Sequence, residues 1–277
     1  MLQRIFKITL PILVALVFTG CATTAQDWSS DVPSVNKSSK AKRAPKINID
    51  KESVDALNAP YSDLWDRIRD GFELEVADDP LVIKHVRWYA DRPDYVDRMM
   101  SRSSRYLFYI VEEVERRKMP MELALLPFIE SAFNPGAFSR AKASGMWQFM
   151  PATGKDFKLT QNVFRDERRD VIQSTDAALD YLQRLYKMFG DWQLVLAAYN
   201  WGEGNVSKAI KRNQAQNLPT DYASLKMPDE TRNYVPKLLA VKKIVLDSKA
   251  YGLTLPKLQN HPYFVVVTTS KDVDVSL

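Results

Sequence analysis

Apolar residues recur at the spacing of amphipathic α-helices from about residue 61 onward, and this periodicity is the strongest constraint on what the chain folds into. A helix that follows Asp79-Pro80 is one example, since its apolar positions share one face and Pro93 ends it. Further helical patterns cover residues 93–118, 121–132, 170–189, 192–201 and 229–247. Pro236 is expected to bend or restart the last of these helices. The predicted fold class is mainly α.

The end of the chain has a different pattern. Leu253–Leu277 carries a short run of valines, then Thr and Ser, then alternating Val and Asp, which predicts a small strand or hairpin. We therefore expect a helical N-terminal subdomain over residues 61–114, a main helical domain over 115–248 and a C-terminal extension over 249–277. This length is enough for one substantial core, with or without an appended subdomain.

The first 20 residues indicate export and are not expected to belong to the fold. Arg4 and Lys7 form a basic start, and the apolar run from Ile8 to Phe18 is too short to span a bilayer. Cys21 follows, and since it is the single cysteine, the chain cannot form an internal disulfide. Its surroundings resemble the lipobox of bacterial lipoproteins, which implies lipidation at Cys21 and, with Ala22 next, an outer-membrane lipoprotein facing the periplasm. A plain signal peptide with an incidental cysteine is the alternative.

Residues 21–60 are rich in Ser, Thr, Lys, Asn and Pro, and they show little hydrophobic periodicity. This composition predicts a flexible tether, and the basic cluster between residues 37 and 46 fits a solvated linker better than a lipid-binding site. The formal net charge of +5 includes Arg4 and Lys7, which leave with the signal. The remaining positive charge is a weak argument for nucleic acid, and no nucleic-acid partner is expected.

One carboxylate, Glu130, stands in an apolar and aromatic setting at the end of the helix predicted over residues 121–132. Asn134-Pro135-Gly136 stops that helix, so Glu130 falls in its last turn, near the negative end of the helix dipole. Burial beside Phe128 and Phe133 would also disfavour the ionised form, and both effects raise the pKa. A carboxylic acid that stays protonated near neutral pH can act as a general acid, as glycosidases require. A solvated surface glutamate is the alternative.

Few other residues point to chemistry. Asn200 ends a very apolar helix, so its side chain must find a partner in a neighbouring loop or in a ligand. Trp88 and Tyr109 could be sugar platforms, although aromatic residues at helical spacing more often belong to the core. No metal-ligand cluster or phosphate loop is found, so no cofactor is predicted. The two histidines, His85 and His261, lie far in sequence from any candidate nucleophile, which argues against a serine or cysteine hydrolase.

Four motifs occur in the order of one enzyme family. They are Glu130-Ser131 with Phe133-Asn134-Pro135, then Ser144 to Pro151 with Thr153-Gly154, then Ala198-Tyr199-Asn200 with Gly202, and finally Glu230-Thr231 with Tyr234-Val235. Over about residues 115–245 the chain resembles the lytic transglycosylases that cleave bacterial peptidoglycan, of the soluble lytic transglycosylase type. The helical stretch over residues 63–72 makes it similar to the membrane-bound lytic murein transglycosylase D branch.

The resemblance implies a lysozyme-like, mostly helical catalytic domain in which Glu130 is the sole catalytic acid and base. The family cleaves the β-1,4 bond between N-acetylmuramic acid and N-acetylglucosamine without water, closing the muramyl C6 hydroxyl onto C1 to give a 1,6-anhydro end. Ordinary glycosidases use a second carboxylate as nucleophile or to activate water. Residues 131–155 contain no Asp or Glu, which is consistent with one glutamate that first donates and then removes a proton.

The resemblance also assigns residues to the sugar site. Gly145 would allow close backbone approach, and Gln148 would offer a donor and an acceptor to an acetamido or hydroxyl group. Tyr199 would orient the catalytic carboxyl or stabilise developing charge, whereas simple helix stabilisation is the alternative for Glu230. The predicted substrate-binding residues are Ser139, Gly145, Met146, Gln148, Tyr199, Asn200, Glu230 and Tyr234.

Peptidoglycan glycan strands are the expected substrate, with lipid at Cys21 as the membrane anchor and a monomer as the working state. A goose-type lysozyme-like hydrolase with a comparable glutamate and a non-catalytic wall-binding lipoprotein are the alternatives. The branch that the chain resembles usually continues into small LysM wall-binding modules, and this sequence stops at Leu277 before any would fit. It stays open whether wall binding depends on the cleft alone, on modules lost from a shortened gene, or on another protein.

Overall fold

The structure is a computed structural model that describes residues 61–76 and 79–264. Within these ranges the regular elements are helices, so the prediction of a mainly α fold is confirmed. The α-helices are α1 (Leu64–Asp70), α2 (Pro80–Ala90), α3 (Pro93–Ser103), α4 (Leu107–Arg116), α5 (Leu126–Ser131), α6 (Pro151–Asp156), α7 (Val171–Phe189), α8 (Trp192–Trp201), α9 (Glu203–Gln214), α10 (Asp229–Arg232) and α11 (Tyr234–Leu246). Short 3-10 helices cover Met121–Leu125, Glu167–Arg169, Tyr222–Ser224 and Lys249–Tyr251.

Aspartate side chains cap the start of four described α-helices. Asp63 caps α1, Asp79 caps α2, Asp170 caps α7 and Asp191 caps α8, and each accepts a hydrogen bond of 2.8 to 3.1 Å from a backbone N–H two or three residues later. Such a cap satisfies one of the N–H groups that the first turn of a helix leaves without a partner. The caps therefore fix where these helices begin, including the two predicted helices that follow Asp79 and that start at residue 192.

Two of the predicted helices are each divided into two. In the segment over residues 93–118, the hydroxyls of Ser103 and Ser104 donate to carbonyls three residues earlier, both at 2.8 Å, where α3 ends. These side-chain bonds compete with the main-chain ladder. In the segment over residues 229–247, α10 and α11 meet at Asn233 because Pro236 has no N–H to continue the ladder. The expected restart at Pro236 is therefore confirmed.

The segment that leads to Glu130 is also not a single helix. Pro127 has no N–H to donate to the carbonyl of Leu123, so an α-helical ladder cannot run through this point. The chain instead forms the 3-10 helix Met121–Leu125, followed by the short helix α5. Glu130 lies in the last turn of α5, as the sequence predicts.

Helix α11 lies at the centre of the described core. Most of its residues are buried, and it packs against α2, α8 and α5. The buried apolar residues form one cluster that extends from Leu64 to Leu258, so helices on both sides of residue 114 share this core. The predicted boundary at 114/115 stays a prediction. The central position of α11 matters because its N-terminal end carries Tyr234.

The predicted C-terminal β segment lies largely outside the described residues, as do the predicted signal peptide, the tether and Cys21. Of that segment, residues 253–264 are described and form no strand, although Gln259 makes an isolated antiparallel bridge with Asp63. Among residues 61–76 and 79–264, no helix combines the length and the apolar character that crossing a membrane requires.

Candidate active site

Glu130 occupies the point where the chain turns sharply out of α5. Ala132 and Phe133, which follow Ser131, have left-handed φ angles of 52° and 55°. Phe128 and Phe133 are buried, and their ring centroids lie 4.4 Å apart. The aromatic pair anchors this turn to the core, while Glu130 itself stays partly exposed. The local sequence thus presents one carboxyl group at the boundary between core and solvent.

Tyr234 makes the direct contact to the carboxyl group. Its phenol Oη donates a short hydrogen bond to Glu130 Oε1. Tyr234 is the first residue of α11 and is 4% exposed, so the central helix of the core fixes the position of this donor. The two residues are 104 positions apart in the chain, and their contact depends on the fold as a whole.

The pKa of Glu130 is raised to about 7. Burial is the largest cause because it disfavours the charged form, and the negative charge of Glu230 raises the pKa further. The hydrogen bond from Tyr234 and the positive charge of Lys237 act in the opposite direction, since both stabilise the carboxylate. The pKa of Glu130 is raised, as the sequence predicts. The main cause is burial, and not the dipole of the six-residue helix α5.

A second tyrosine, Tyr199, lies close to the same carboxyl but does not bind it. Its phenol donates to the backbone carbonyl of Trp147 at 2.9 Å. Burial, and next the charge of Glu130, raise the pKa of both Tyr199 and Tyr234 well above the usual range, so both stay protonated at neutral pH. The phenol that binds Glu130 is therefore that of Tyr234, and the role of Tyr199 in orienting the carboxyl or stabilising developing charge stays a prediction.

Residues 137–150 form a compact loop beside Glu130, which we call the site loop. Isolated antiparallel bridges join Phe138 to Ser144 and Ser144 to Phe149 within it. Gly145 has a φ angle of +84°, and a Cβ atom there would lie 1.7 Å from the carbonyl oxygen of Arg168. Only glycine fits this position, because both its backbone angle and its close neighbour exclude a side chain.

Arg168 and Arg169 hold the site loop through hydrogen bonds. Arg168 Nη1 donates to the carbonyls of Lys142 at 2.8 Å and Phe149 at 3.1 Å, while its Nε and Nη2 bind Asp166. Arg169 Nε donates to Ser144 Oγ at 3.0 Å. Sequence reasoning missed these two arginines. The only signal was two adjacent arginines, which are common on protein surfaces.

The predicted loop residues differ in what they can offer a ligand. Gln148 is partly exposed, but its Nε2 already donates to the Gly145 carbonyl at 2.8 Å. Ser139 Oγ accepts from the backbone N–H of Ala143 at 2.9 Å. Met146 is fully buried in the core, so its contribution is its carbonyl, which accepts from Ser131 Oγ at 2.8 Å. Through this bond Ser131, which directly follows Glu130, is tied to the site loop.

The late motif completes the surroundings of the carboxyl. Thr231 donates to Asn200 Oδ1 at 2.8 Å, which gives the polar residue at the end of α8 the partner it was expected to need. Glu230 is exposed on α10 and acts on Glu130 through its charge. The part of the chain that the structure describes contains no group of three or more His, Cys, Asp or Glu residues suited to a metal ion.

The sequence was compared with known proteins. The model of the transglycosylase SLT domain family matches residues 108–220, a range that contains Glu130, the site loop and Tyr199. The chain is 38% identical over 268 residues to "Membrane-bound lytic murein transglycosylase D" of Escherichia coli K12, which covers 96% of this chain and 59% of that protein. The chain thus spans about three fifths of the length of this relative.

Two further relatives match over shorter ranges. "Putative tributyltin chloride resistance protein" of Alteromonas sp. strain M-1 is 50% identical over 121 residues, which are 43% of this chain and 58% of that protein. "Soluble lytic murein transglycosylase" of Escherichia coli K12 is 31% identical over 116 residues, which are 40% of this chain and 18% of that protein. Through residues 108–220, the chain is thus similar to the transglycosylase SLT domain family.

Proposed function

We propose that this protein is a peptidoglycan lytic transglycosylase that cleaves the β-1,4 bond between N-acetylmuramic acid and N-acetylglucosamine without water. The match to the SLT domain family model and the relatives whose names include lytic murein transglycosylase support the reaction class. One observation carries the mechanism. Glu130 has a pKa of about 7 and accepts a hydrogen bond from Tyr234, so a single carboxyl group can be a proton donor and a proton acceptor at neutral pH.

In the first step, protonated Glu130 donates its proton to the glycosidic oxygen. The C1–O4 bond breaks, the N-acetylglucosamine side leaves with a new hydroxyl, and positive charge develops at the muramyl C1. The acetamido group of the same sugar shields this oxocarbenium-like centre. Tyr234 then donates its hydrogen bond to the newly formed carboxylate, which stabilises the charge that Glu130 acquires.

In the second step, the muramyl C6 hydroxyl attacks C1 and Glu130 takes its proton. A C1–O6 bond forms, the 1,6-anhydro ring closes, and Glu130 returns to its protonated state. Because the nucleophile belongs to the same sugar, no water is consumed, and an intramolecular attack has a large advantage over a bimolecular one. A pKa of about 7 suits both steps, because neither proton transfer is then strongly uphill.

The main competing function is hydrolysis of the same bond by a goose-type lysozyme-like enzyme. A hydrolase of the common kinds needs a second carboxylate placed as nucleophile or to activate water. Within the described residues, Glu230 is the carboxylate whose charge acts on Glu130, and it is solvent-exposed on α10. The absence of acidic residues from 131 to 155 removes the adjacent loop as a source. These features favour the transglycosylase, with Glu130 alone as acid and base.

The proposed site of action is the cell wall. We propose export by the N-terminal signal, lipid attachment at Cys21 and an outer-membrane location facing the periplasm, with residues 21–60 as the tether and a monomeric working state. The residues Ser139, Gly145, Met146, Gln148, Tyr199, Asn200, Glu230 and Tyr234 are proposed to shape the sugar site. For Met146 this role falls to its backbone, because its side chain is fully buried.

Digestion of purified sacculi, with the products analysed by mass spectrometry, tests the proposal. We expect muramyl products lighter by one water than hydrolytic products, and no ¹⁸O uptake when the digestion is run in H₂¹⁸O. Glu130→Gln should lower the rate roughly 10³- to 10⁴-fold, since no other group then exchanges the proton. Glu75→Gln removes an exposed carboxylate and is the matched control, with unchanged activity.

Three results would overturn the proposal in different ways. Reducing muramyl ends that carry ¹⁸O would identify the hydrolase. Wall turnover that Glu130→Gln leaves unchanged would identify a non-catalytic wall-binding protein. Anhydro products from Glu130→Gln at the wild-type rate would assign the acid and base to another residue.

A further inference from the structure

A positively charged groove runs along the outer face of α2, and its residues are distant in sequence from the site loop. It has a volume of about 560 Å³, and its walls include Ile83, Lys84, Arg87, Trp88 and Arg92, which we call the α2 face. All five residues are solvent-exposed, and Ile83 and Trp88 each expose 41% of their surface. The groove therefore combines an apolar floor with three cations, a mixture that suits a ligand with both apolar and anionic parts.

The aromatic part of this face is held in one position. The Trp88 ring packs edge-on against Tyr89 and Tyr95, with centroid distances of 5.1 and 5.4 Å. The Arg92 guanidinium lies 4.5 Å from the Trp88 ring centroid and donates to the Trp88 carbonyl at 2.9 Å. A fixed ring offers contact area to a ligand at little cost in conformational entropy. Trp88 is thus an exposed platform and not a core residue.

The charge of the groove is unbalanced. Lys84, Arg87 and Arg92 face one carboxylate in its lining, Asp91. None of the three cations is buried, so an incoming carboxylate can approach them without desolvating an existing ion pair. Charge complementarity therefore selects an anionic occupant over a neutral sugar.

The groove is connected to the candidate active site through α11. His85, which also lines the groove, contacts Asn233 Oδ1 through its Nε2 at 2.8 Å, and Asn233 directly precedes Tyr234. Asn233 Nδ2 donates to the Asp229 carbonyl, which leaves Oδ1 as the acceptor for His85. Helix α2 packs extensively on α11. A ligand on the α2 face thus lies one side-chain contact away from the residue next to Tyr234.

The charge of Lys237 acts on one residue of each site. Burial is the largest cause of the lowered pKa of His85, and the charge of Lys237 lowers it further. The same Lys237 charge also lowers the pKa of Glu130, against the larger effect of burial.

We propose that the α2 face binds the acidic stem peptide of the peptidoglycan strand whose sugar occupies the Glu130 site. This inference rests on the proposed function, because it takes the wall as the substrate. The stem peptide carries free carboxylates for Lys84 and Arg87 and aliphatic segments for Ile83 and Trp88. In this arrangement the sugar lies at Glu130 and the peptide attached to it lies on the α2 face, so one strand occupies both sites at once.

Direct binding of a free peptide tests the inference without any catalysis. The probe is the synthetic tripeptide L-Ala-γ-D-Glu-meso-diaminopimelate, titrated into ¹⁵N-labelled full-length protein while the tryptophan indole N–H signals are followed by NMR. We expect the Trp88 signal to shift and Lys84→Gln/Arg87→Gln to weaken binding about tenfold. Lys208→Gln/Lys211→Gln removes two exposed cations with the same spacing from α9, and it should change the affinity less than twofold.

Two binding results would overturn the inference. Equal weakening by both double variants would mean that the peptide senses only net charge. A peptide-free chitin oligomer that shifts the Trp88 signal, and whose binding survives Lys84→Gln/Arg87→Gln, would make the face a sugar platform. Both double variants change exposed residues, so loss of folding does not confuse the comparison.

Kinetics on two wall substrates separate this inference from the proposed function. We expect Lys84→Gln/Arg87→Gln to lower kcat/KM about tenfold on peptide-bearing glycan and to leave it unchanged on glycan stripped of peptides by an amidase. An equal loss on both substrates would overturn the inference. If neither substrate yields anhydro products, the proposed function fails, while tripeptide binding at Trp88 still decides the α2 face by itself.

Discussion

Glu122 and Glu130 lie in the same apolar stretch of the chain, yet the protein treats the two carboxyl groups in opposite ways. Glu122 is fully buried and accepts hydrogen bonds from the backbone N–H groups of Glu73 and Leu74. Lys242 Nζ lies 2.6 Å from Glu122 Oε1 and also donates to the Leu74 carbonyl. The buried charge of Glu122 is thus fully compensated by a lysine and by fixed N–H donors.

Glu130 has much weaker compensation. Its hydrogen bond comes from a neutral phenol, Tyr234, and the nearby charges of Lys237 and Glu230 oppose each other. Burial therefore dominates, and the carboxyl prefers to keep its proton. The ion pair around Glu122 thus fastens residues 73–74 to α11, whereas Glu130 has no such partner and is an acid that works near neutral pH.

The largest effect on stability is expected at the compensated site. Lys242→Met would leave Glu122 buried without its cation, and we expect a loss of about 3–5 kcal/mol in the free energy of unfolding, measured with urea. The double variant Glu122→Leu/Lys242→Met should recover most of this loss, because no uncompensated charge remains. Lys243→Met, on the partly exposed side of the same helix, is the control. Equal losses for Lys242→Met and Lys243→Met would show that the ion pair does not matter.

Removing the phenol donor should lower the activity of the Glu130 site and raise the pKa of Glu130 further. Tyr234→Phe deletes a hydrogen bond to a charged group, and we expect roughly a 10- to 100-fold loss of kcat. Because this bond lowers the pKa of Glu130, its removal raises that pKa, and the pH at which activity falls on the alkaline side moves upward. Tyr186→Phe changes an exposed phenol and is the matched control. A lower kcat with an unmoved pH profile would make Tyr234 a packing residue.

Glu130 should also affect the stability of the fold in a pH-dependent way. The Glu130 carboxyl has an ordinary pKa of 4.5 and a pKa of about 7 in the folded protein, so it destabilises the fold increasingly as pH rises through this window. Glu130→Gln removes this cost, and we expect it to stabilise the protein by about 1–3 kcal/mol at pH 8 and by almost nothing at pH 4. Urea unfolding at both pH values measures the difference. A destabilising Glu130→Gln at pH 8 would contradict the uncompensated burial of Glu130.

The smallest effects are expected from the two flanking charges. Glu230→Gln removes a negative charge that raises the pKa of Glu130, so the alkaline limb of the kcat/KM profile should move to lower pH. Lys237→Gln removes a positive charge that lowers this pKa, so the same limb should move to higher pH. Both shifts should shrink in high salt, because Glu230 is exposed and Lys237 is partly exposed, so mobile ions can screen both charges. Shifts in the same direction would contradict this assignment of the charges.

The sequence predicts features that depend on neighbouring residues. Asp79 and Asp191 cap helices where their positions indicate, and Glu130 falls in the last turn of its helix. It also indicates the raised pKa of Glu130, because Phe128 and Phe133 flank it in the chain. Local rules suffice in these cases, since the residues that determine the outcome lie within one or two helical turns.

Features that depend on distant residues are not accessible in this way. The bond between Tyr234 and Glu130 and the pair of Lys242 and Glu122 join residues 104 and 120 positions apart. Helix α9 is missing from the predicted helices, although its first residue, Glu203, follows directly on Gly202 at the end of α8. The sequence also does not reveal how the site loop is supported. Arg168 binds the carbonyls of Lys142 and Phe149, and only the fold brings these residues together.

Glu130 holds its proton near neutral pH because the effect of burial outweighs that of its hydrogen-bond and charge partners. The most direct measurement is a ¹³C NMR titration of the glutamate carboxyl carbons, with the Glu130 signal assigned by its absence from Glu130→Gln. A midpoint near pH 7 is the predicted result. A midpoint near the ordinary value of 4.5 would mean that Glu130 is ionised throughout the neutral range, and it would contradict the account of one residue as both acid and base.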